Sequence, residues 1–197
     1  MNTILKKLIS GVLAVVMMFT CLPVAALAAT TSTEDDKSVE INDGYISVSV
    51  SKENGGFLVD TLLGNQLKAS DDSKNLLFPS EGYDTSFTSF QVTRTNGDVE
   101  EYVFGRQYGF LGIYSSGVKT EVKGSSVVST WSVKDLTIVQ TLTFVDETNP
   151  QHGQVDISYD VTTTADDVAN VKARIMLDTA LGTQDYGFYQ LHSKDAG

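Results

Sequence analysis

The stretch "SVVSTWSVKDLTIVQTLTFV" at residues 126–145 decides the predicted fold. Its apolar and polar residues alternate, which is typical of strands with one buried face, and Lys134-Asp135 marks a tight turn between two such strands. Pairing across that turn sets these residues opposite one another: Trp131 and Ile138, Val127 and Leu142, Ser129 and Gln140. One face of the hairpin is therefore apolar except for Ser129 and Gln140.

The same alternation continues in "GQVDISYDVT" (153–162) and "NVKARIMLDT" (170–179) and predicts a four-stranded antiparallel meander. A slip of one residue would turn every apolar side chain outward, so the register is well specified. The predicted pairs are Leu142 with Ile157, Phe144 with Val155, Gln140 with Tyr159, Tyr159 with Ala173, Ile157 with Ile175, and Val155 with Leu177. On the polar face the register sets Asp160 beside Lys172 and Ser158 beside Arg174. Gln140 is then a buried amide whose expected neighbours are Tyr159 and Ser129, which favours a satisfied core cluster over a ligand site.

Residues 1–28 have the pattern of a secretory signal peptide. Lys6 and Lys7 precede the apolar run "LISGVLAVVMMF", and Ala26-Leu27-Ala28 offers small residues for cleavage. The alternative is an uncleaved N-terminal anchor. We expect residues 29–38 to be a flexible linker and residues 39–197 to be the folded domain, secreted by a Gram-positive bacterium. Cys21, the single cysteine, would leave with the signal peptide, so the mature chain is expected to have no disulfide and no cysteine nucleophile.

The chain is strongly acidic, with a formal net charge of −11. Loss of Lys6 and Lys7 with the signal peptide lowers the charge to −13. Nucleic acid and an anionic membrane surface would both be repelled, so neither is an expected partner. The acidity favours solubility outside the cell, or alternatively Ca²⁺ binding by some of the acidic side chains.

Candidate ligand-binding residues occur in the aromatic stretch "EYVFGRQYGFLGIY" at 101–114. Most of its aromatic residues are expected in the core. Tyr108 and Tyr114 are the candidates for exposure, and Arg106 is their natural polar companion. Flat exposed aromatic faces suit a recognition surface, so these residues predict binding of a glycan or a cell-wall polymer.

A second candidate is the acidic stretch "RIMLDTALGTQDYGFYQ" at 174–190. Asp178, Asp185 and the nearby Arg174 are candidate ligand-binding residues, and the two carboxylates are candidate Ca²⁺ ligands. The same pattern fits an Asx-type turn, which we favour, or an acid/base pair. There is no P-loop, GxSxG, HExxH or EF-hand spacing, so the motifs lean against an enzyme.

Two resemblances follow from longer stretches. The segments "INDGYISVSVSKENGGF", "TSFTSF", "YVFG" and "VKARIMLDTALGTQD" resemble the N-terminal part of uncharacterised secreted surface proteins of Gram-positive bacteria. Their shared Arg-x-x-Leu-Asp-Thr-x-Leu-Gly-x-x-Asp pattern is matched by Arg174, Leu177, Asp178, Thr179, Leu181, Gly182 and Asp185. The segment "INDGYISVSVSKENGGFLVDTLLGNQL" is also similar to the opening of mutarotase-like β-supersandwich domains, which implies carbohydrate binding. The catalytic histidine and glutamate of mutarotases have no counterparts that can be placed here.

These observations predict an all-β antiparallel β-sandwich. A supersandwich usually needs a longer chain, so we expect an incomplete one, truncated at its C-terminus and lacking a C-terminal domain. The expected function is that of a secreted cell-surface module with a carbohydrate-binding or structural role. The alternative is the N-terminal portion of a carbohydrate-active enzyme that uses Asp178 and Asp185.

Overall fold

A computed structural model describes residues 30–63, 69–80, 83–109, 112–115, 117–145 and 154–180. Within these ranges the fold is all-β, as predicted, with a single turn of 3-10 helix at Ala69–Asp71. The strands are Thr31–Glu34 (β1), Ser38–Asn42 (β2), Ile46–Ser51 (β3), Phe57–Thr61 (β4), Phe87–Arg94 (β5), Val99–Val103 (β6), Arg106–Gly109 (β7), Gly112–Ser115 (β8), Lys119–Lys123 (β9), Ser126–Val133 (β10), Leu136–Phe144 (β11), Val155–Thr163 (β12) and Val168–Met176 (β13).

The strands form three antiparallel sheets. The amino-terminal sheet has the order β1-β2-β3-β4, the central sheet β12-β11-β10-β9, and the third sheet β13-β5-β6-β7-β8. The amino-terminal and third sheets pack against the same face of the central sheet, at its two ends, so one layer of the sandwich is divided. The first core contains Val127 and Leu142 of the central sheet, and the second contains Trp131 and Ile138.

The predicted register of β10, β11 and β12 is confirmed. Trp131 pairs with Ile138, Ser129 with Gln140 and Val127 with Leu142, and all six residues are buried. The next pairing is likewise as predicted, with Leu142 opposite Ile157, Phe144 opposite Val155 and Gln140 opposite Tyr159. Lys134 takes a left-handed conformation (φ 53°) in the tight turn between β10 and β11. Alternation and a short turn were enough to fix the register of β10 and β11, and alternation fixed that of β12 against β11.

The predicted pairing of β13 with β12 is wrong. β13 pairs instead with β5 in the third sheet, where Ala173 lies opposite Phe90 and Arg174 opposite Ser89. The pairs Asp160 with Lys172 and Ser158 with Arg174 are therefore also wrong. Residues 164–167 carry the chain from one sheet to the other rather than closing a hairpin. The physical reason is that β5 has its own apolar face, so alternation in β13 fits β5 as well as it fits β12.

The core positions predicted at the end of β13 are also wrong. Ile175 and Leu177 are 42% and 47% exposed. Ile175 lies opposite Thr88, which is buried, but β13 is the outermost strand of its sheet. Side chains at the end of such a strand lack neighbours on one side.

Thr31–Glu34, within the predicted linker, form the edge strand β1 and pair with β2. All four residues of β1 are exposed, so a polar composition is compatible with this strand. The connection to β2 is an Asx-type turn, in which the Asp35 carboxylate accepts hydrogen bonds from the N–H groups of Lys37 and Ser38 at 2.7 and 2.6 Å. These two bonds lower the pKa of Asp35, with the Ser38 bond the larger cause.

An ion cluster centred on Arg94 joins the third sheet to the β10–β11 turn. The Arg94 guanidinium contacts Asp135 at 2.8 Å, Glu100 at 2.7 Å and Asp167 at 3.0 Å. Lys134 adds a 2.6 Å contact to Glu100. Hydrogen bonds from Lys134 first and Arg94 second lower the pKa of Glu100 to about 2, and Arg94 holds the pKa of Asp135 well below its usual range.

Arg94→Gln is expected to lower the melting temperature at pH 7 and to reduce the acid sensitivity of the fold. Because the pKa values of Glu100 and Asp135 are lowered by folding, their stabilisation is complete above the ordinary carboxylate pKa of about 4 and is lost as the pH falls toward 2. The difference between wild type and Arg94→Gln should therefore narrow from pH 5 to pH 2, as measured by thermal unfolding. Lys119→Gln, at an exposed lysine of β9, serves as control; a constant difference across this range would contradict the assignment.

Candidate functional site

Three loops meet at one end of the third sheet and form a small opening, here called the Arg106 crevice. It offers about 10 Å³ to the centre of a water-sized sphere, which is room for about one water molecule. A ligand would therefore lie across its mouth rather than inside it. The lining residues are Asn54, Gly55, Gly56, Phe57, Tyr83, Ser86, Phe87, Thr88, Phe104, Arg106 and Gln140.

Arg106 is held at the crevice by two contacts. Its guanidinium donates a hydrogen bond to the backbone carbonyl of Asp84 and lies 5.0 Å from the centre of the Phe87 ring. The second contact has the geometry of a cation–π interaction. Arg106 begins β7, directly after the turn that ends β6. A half-buried arginine fixed on a ring and a carbonyl is a pre-oriented hydrogen-bond donor.

The walls of the crevice need glycine because backbones approach closely there. A Cβ atom on Gly105 would lie 1.8 Å from the carbonyl oxygen of Asn54, and one on Gly56 would lie 1.9 Å from that of Tyr83. Tyr83 itself has φ 54°, which is uncommon for a residue with a side chain. The 54–56 turn, the Tyr83 segment and the start of β7 are thus fitted tightly to one another.

A chain of hydrogen bonds runs beneath the crevice and joins all three sheets. Gln140 Nε2 donates to the carbonyl of Gly55 at 2.8 Å, and the Tyr159 hydroxyl donates to Gln140 Oε1 at 2.7 Å. Because the Tyr159 proton is used in that bond, the Thr88 hydroxyl donates to Tyr159, at 2.6 Å. Burial is the first cause of the raised pKa of Tyr159, about 12. The predicted contact of Gln140 with Tyr159 is confirmed, whereas the Ser129 hydroxyl bonds to Thr120 at 2.9 Å.

The backbone of Asp178 contacts Ser86, one of the residues that line the crevice. Its N–H donates to the Ser86 hydroxyl at 3.0 Å, and its carbonyl accepts a hydrogen bond from the N–H of Phe78 at 2.8 Å. Because Ser86 and Phe87 are adjacent, the structure brings Asp178 and Arg106 to the same end of β5. Arg174 lies within β13, four residues before Asp178, and is exposed.

Three predicted site residues lie wholly or partly outside the described set. Asp185 is outside it, so the predicted Ca²⁺ site at Asp178 and Asp185 stays a prediction. The backbones of Tyr108 and Tyr114 are in β7 and β8, where Tyr108 pairs with Ile113 and Tyr114 with Gln107, but their side chains are not described. Among the described residues, no group of three or more histidine, cysteine, aspartate and glutamate side chains is placed to hold a metal ion.

Several site features were missed by sequence reasoning. Tyr83, Ser86 and Thr88 line the crevice, yet none was predicted as a site residue, because they reach it only through long-range packing. Asp60 was also missed. One of its carboxylate oxygens is buried without a hydrogen bond, and burial first and the charge of Glu40 second raise its pKa. Asp60 lines no part of the crevice.

Comparison of the chain with models of known protein families, with curated proteins and with solved structures found no match. Within the described ranges, the structure contains no helix with the length and apolar character needed to cross a membrane. The fold places the chain in the class of all-β proteins, with a sandwich in which two sheets pack on one face of the central sheet.

Proposed function

We propose that this protein is an exported β-sandwich module that binds a neutral glycan or cell-wall polymer across the Arg106 crevice, without catalysis. The observation that carries the proposal is the fixed position of Arg106 between the Phe87 ring and the Asp84 carbonyl. A guanidinium has five N–H donors, more than one carbonyl can accept. The remaining donors suit the hydroxyl groups of a sugar.

The shape of the crevice favours a polymer over a small molecule. Pockets that enclose a drug-sized ligand measure hundreds of Å³, whereas this opening has room for about one water. A chain of sugars would instead lie along the surface, toward β7 and β8, which contain Tyr108 and Tyr114. The net charge of −11 argues for a neutral polymer, because an anionic one would be repelled. The signal-peptide pattern of residues 1–28 supports a role outside the cell.

Arg106→Ala and Tyr108→Ala are each expected to weaken glycan binding by about tenfold or more, the scale of one lost charged hydrogen bond or one aromatic contact. The measurement is binding to a glycan array and to isolated cell walls. Lys119→Ala, at an exposed basic residue of β9, is the matched control and should bind like wild type. Melting curves check that each variant is folded, since Arg106 also holds Asp84. Absence of wild-type binding in both assays would overturn the proposal.

A second candidate function, part of a carbohydrate-active enzyme, is favoured by one observation. The Asp178 N–H bonds to Ser86, which lines the crevice, so the backbone of an acidic residue lies next to the proposed ligand surface. Asp178→Asn separates the two functions. A binding module should keep its affinity in this variant, whereas an enzyme should bind glycan but lose any hydrolysis that the wild type shows.

A further inference from the structure

Within the part of the chain that the structure describes, one side of the sandwich is open between β12 and β13. β12 is the last strand of the central sheet and β13 the last strand of the third sheet, so among the described residues each pairs on one side only. On their core-facing sides, Ile157 and Tyr159 of β12 are half-buried and Ala173 of β13 is exposed. The two strands follow one another in the chain, yet no described strand fills the space beyond their edges.

The end of β13 carries exposed apolar side chains on both of its faces. Ile175 on the core-facing side, Met176 on the opposite side and Leu177 just after the strand are 42%, 48% and 47% exposed. Phe78, 38% exposed, is tied to the same place because its N–H bonds to the Asp178 carbonyl. Exposed apolar residues beside an unpaired strand edge are a feature of surfaces that bind another chain.

The charges of β13 indicate what kind of chain fits. Lys172 and Arg174 are exposed, and within the described ranges neither side chain takes part in an ion pair. Because they are two residues apart in β13, they place two positive charges on one face of an edge strand, in a chain whose net charge is −11. They disfavour a second copy of β13, because antiparallel pairing about the middle of the strand would set Lys172 against Lys172. An acidic strand would be attracted instead.

We propose that the free edge of β13 binds an extended polypeptide strand in which apolar and carboxylate side chains alternate. Its backbone would continue the hydrogen-bond ladder of the third sheet, as in other cases of strand addition. Its apolar side chains would cover Ala173 and Ile175, and its carboxylates would pair with Lys172 and Arg174 on the other face. This peptide site runs along the edge of β13, adjoins the Arg106 crevice only where Met176 pairs with Phe87, and does not depend on glycan binding.

The test uses the full secreted chain and two labelled seven-residue peptides, one alternating Val with Glu and one alternating Val with Lys. Fluorescence anisotropy at low salt measures their binding. The acidic peptide should bind wild type, and the double variant Lys172→Glu, Arg174→Glu should weaken it by about tenfold, the scale of two cross-strand charge pairs. The same variant should gain binding of the basic peptide. Lys119→Glu with Lys123→Glu makes the same charge change on β9, another edge strand, and should leave the preference for the acidic peptide unchanged.

Three outcomes would overturn this proposal. One is no binding of the acidic peptide to wild type at millimolar concentration. Another is an equal loss in the two double variants, which would mean that only overall charge matters. The third is concentration-dependent dimerisation through β13 in sedimentation, which would assign the edge to a second copy. Far-UV circular dichroism and unfolding midpoints establish that both variants keep the fold.

Discussion

Trp131→Ala is expected to lower the free energy of unfolding by roughly 3–5 kcal/mol, the range for removing a large aromatic side chain from a core. Trp131 is 1% exposed, and its ring packs edge-on against Phe104 with 5.7 Å between the ring centres. Because Phe104 lies in the turn between β6 and β7 and Trp131 lies in β10, the loss would weaken the packing of the third sheet on the central sheet. The measurement is urea unfolding followed by far-UV circular dichroism, since Trp131 is the only tryptophan.

Trp131→Phe separates the effect of the aromatic ring on stability from the effect of the indole N–H. The indole N–H of Trp131 is buried without a hydrogen-bond partner, and an unsatisfied buried donor costs about 1–3 kcal/mol. Removing that donor offsets part of the lost volume, so Trp131→Phe should cost no more than about 2 kcal/mol. Ser132→Ala, at the exposed neighbouring position, should change stability by less than about 0.5 kcal/mol. If Trp131→Phe lowered the free energy of unfolding as much as Trp131→Ala, removal of the unpaired N–H would not offset the lost volume, and this prediction would be wrong.

The local part of the fold could be predicted from the sequence because neighbouring strands share one constraint. In β10 and β11, alternation and the Lys134-Asp135 turn together permit only the register that buries both Trp131 and Ile138. β13 lacks such a turn. Alternation states that one face is buried but not against which strand, and residues 164–167 carry β13 to β5 in another sheet.

The candidate site was predicted only in part, for a related reason. Arg106 was identified because it is a lone cation in an aromatic, glycine-rich stretch. The residues that fix it, Asp84 and Phe87, come from another segment, and nothing in its sequence indicates that it contacts Arg106. Gln140 was identified because it interrupts an apolar face, and Tyr159 followed from register. The other partner of Gln140, the Gly55 carbonyl, is a backbone group 85 residues away, and no side-chain pattern reveals it.

Gln140→Leu is expected to cost roughly 2–4 kcal/mol, because two polar groups lose their partners in a dry environment. The Gly55 carbonyl loses its donor, and the Tyr159 hydroxyl loses its acceptor. Since Gly55 belongs to the amino-terminal half of the sandwich and Thr88 to the third sheet, both sheets would loosen from β11. Urea unfolding measures the cost. A double-mutant cycle with Tyr159→Phe should show a coupling energy above about 0.5 kcal/mol, as expected for residues in one network.

Gln140→Glu tests the direction of the bonds. A carboxylate has no proton to donate to the Gly55 carbonyl, so at pH 7 this variant should be less stable than Gln140→Leu. Burial would raise the pKa of the new carboxyl above its unfolded value of about 4.3. The cost of ionising this buried carboxyl is therefore absent below about pH 4.3 and grows as the pH rises above it. In its protonated form the Glu side chain has an O–H that can donate to the Gly55 carbonyl. Relative to wild type at each pH, the loss of stability should be smaller at pH 4 than at pH 7. A loss that stays constant across this range would mean that Gln140 does not donate to Gly55, and the amino-terminal sheet would then lack this hydrogen bond to β11.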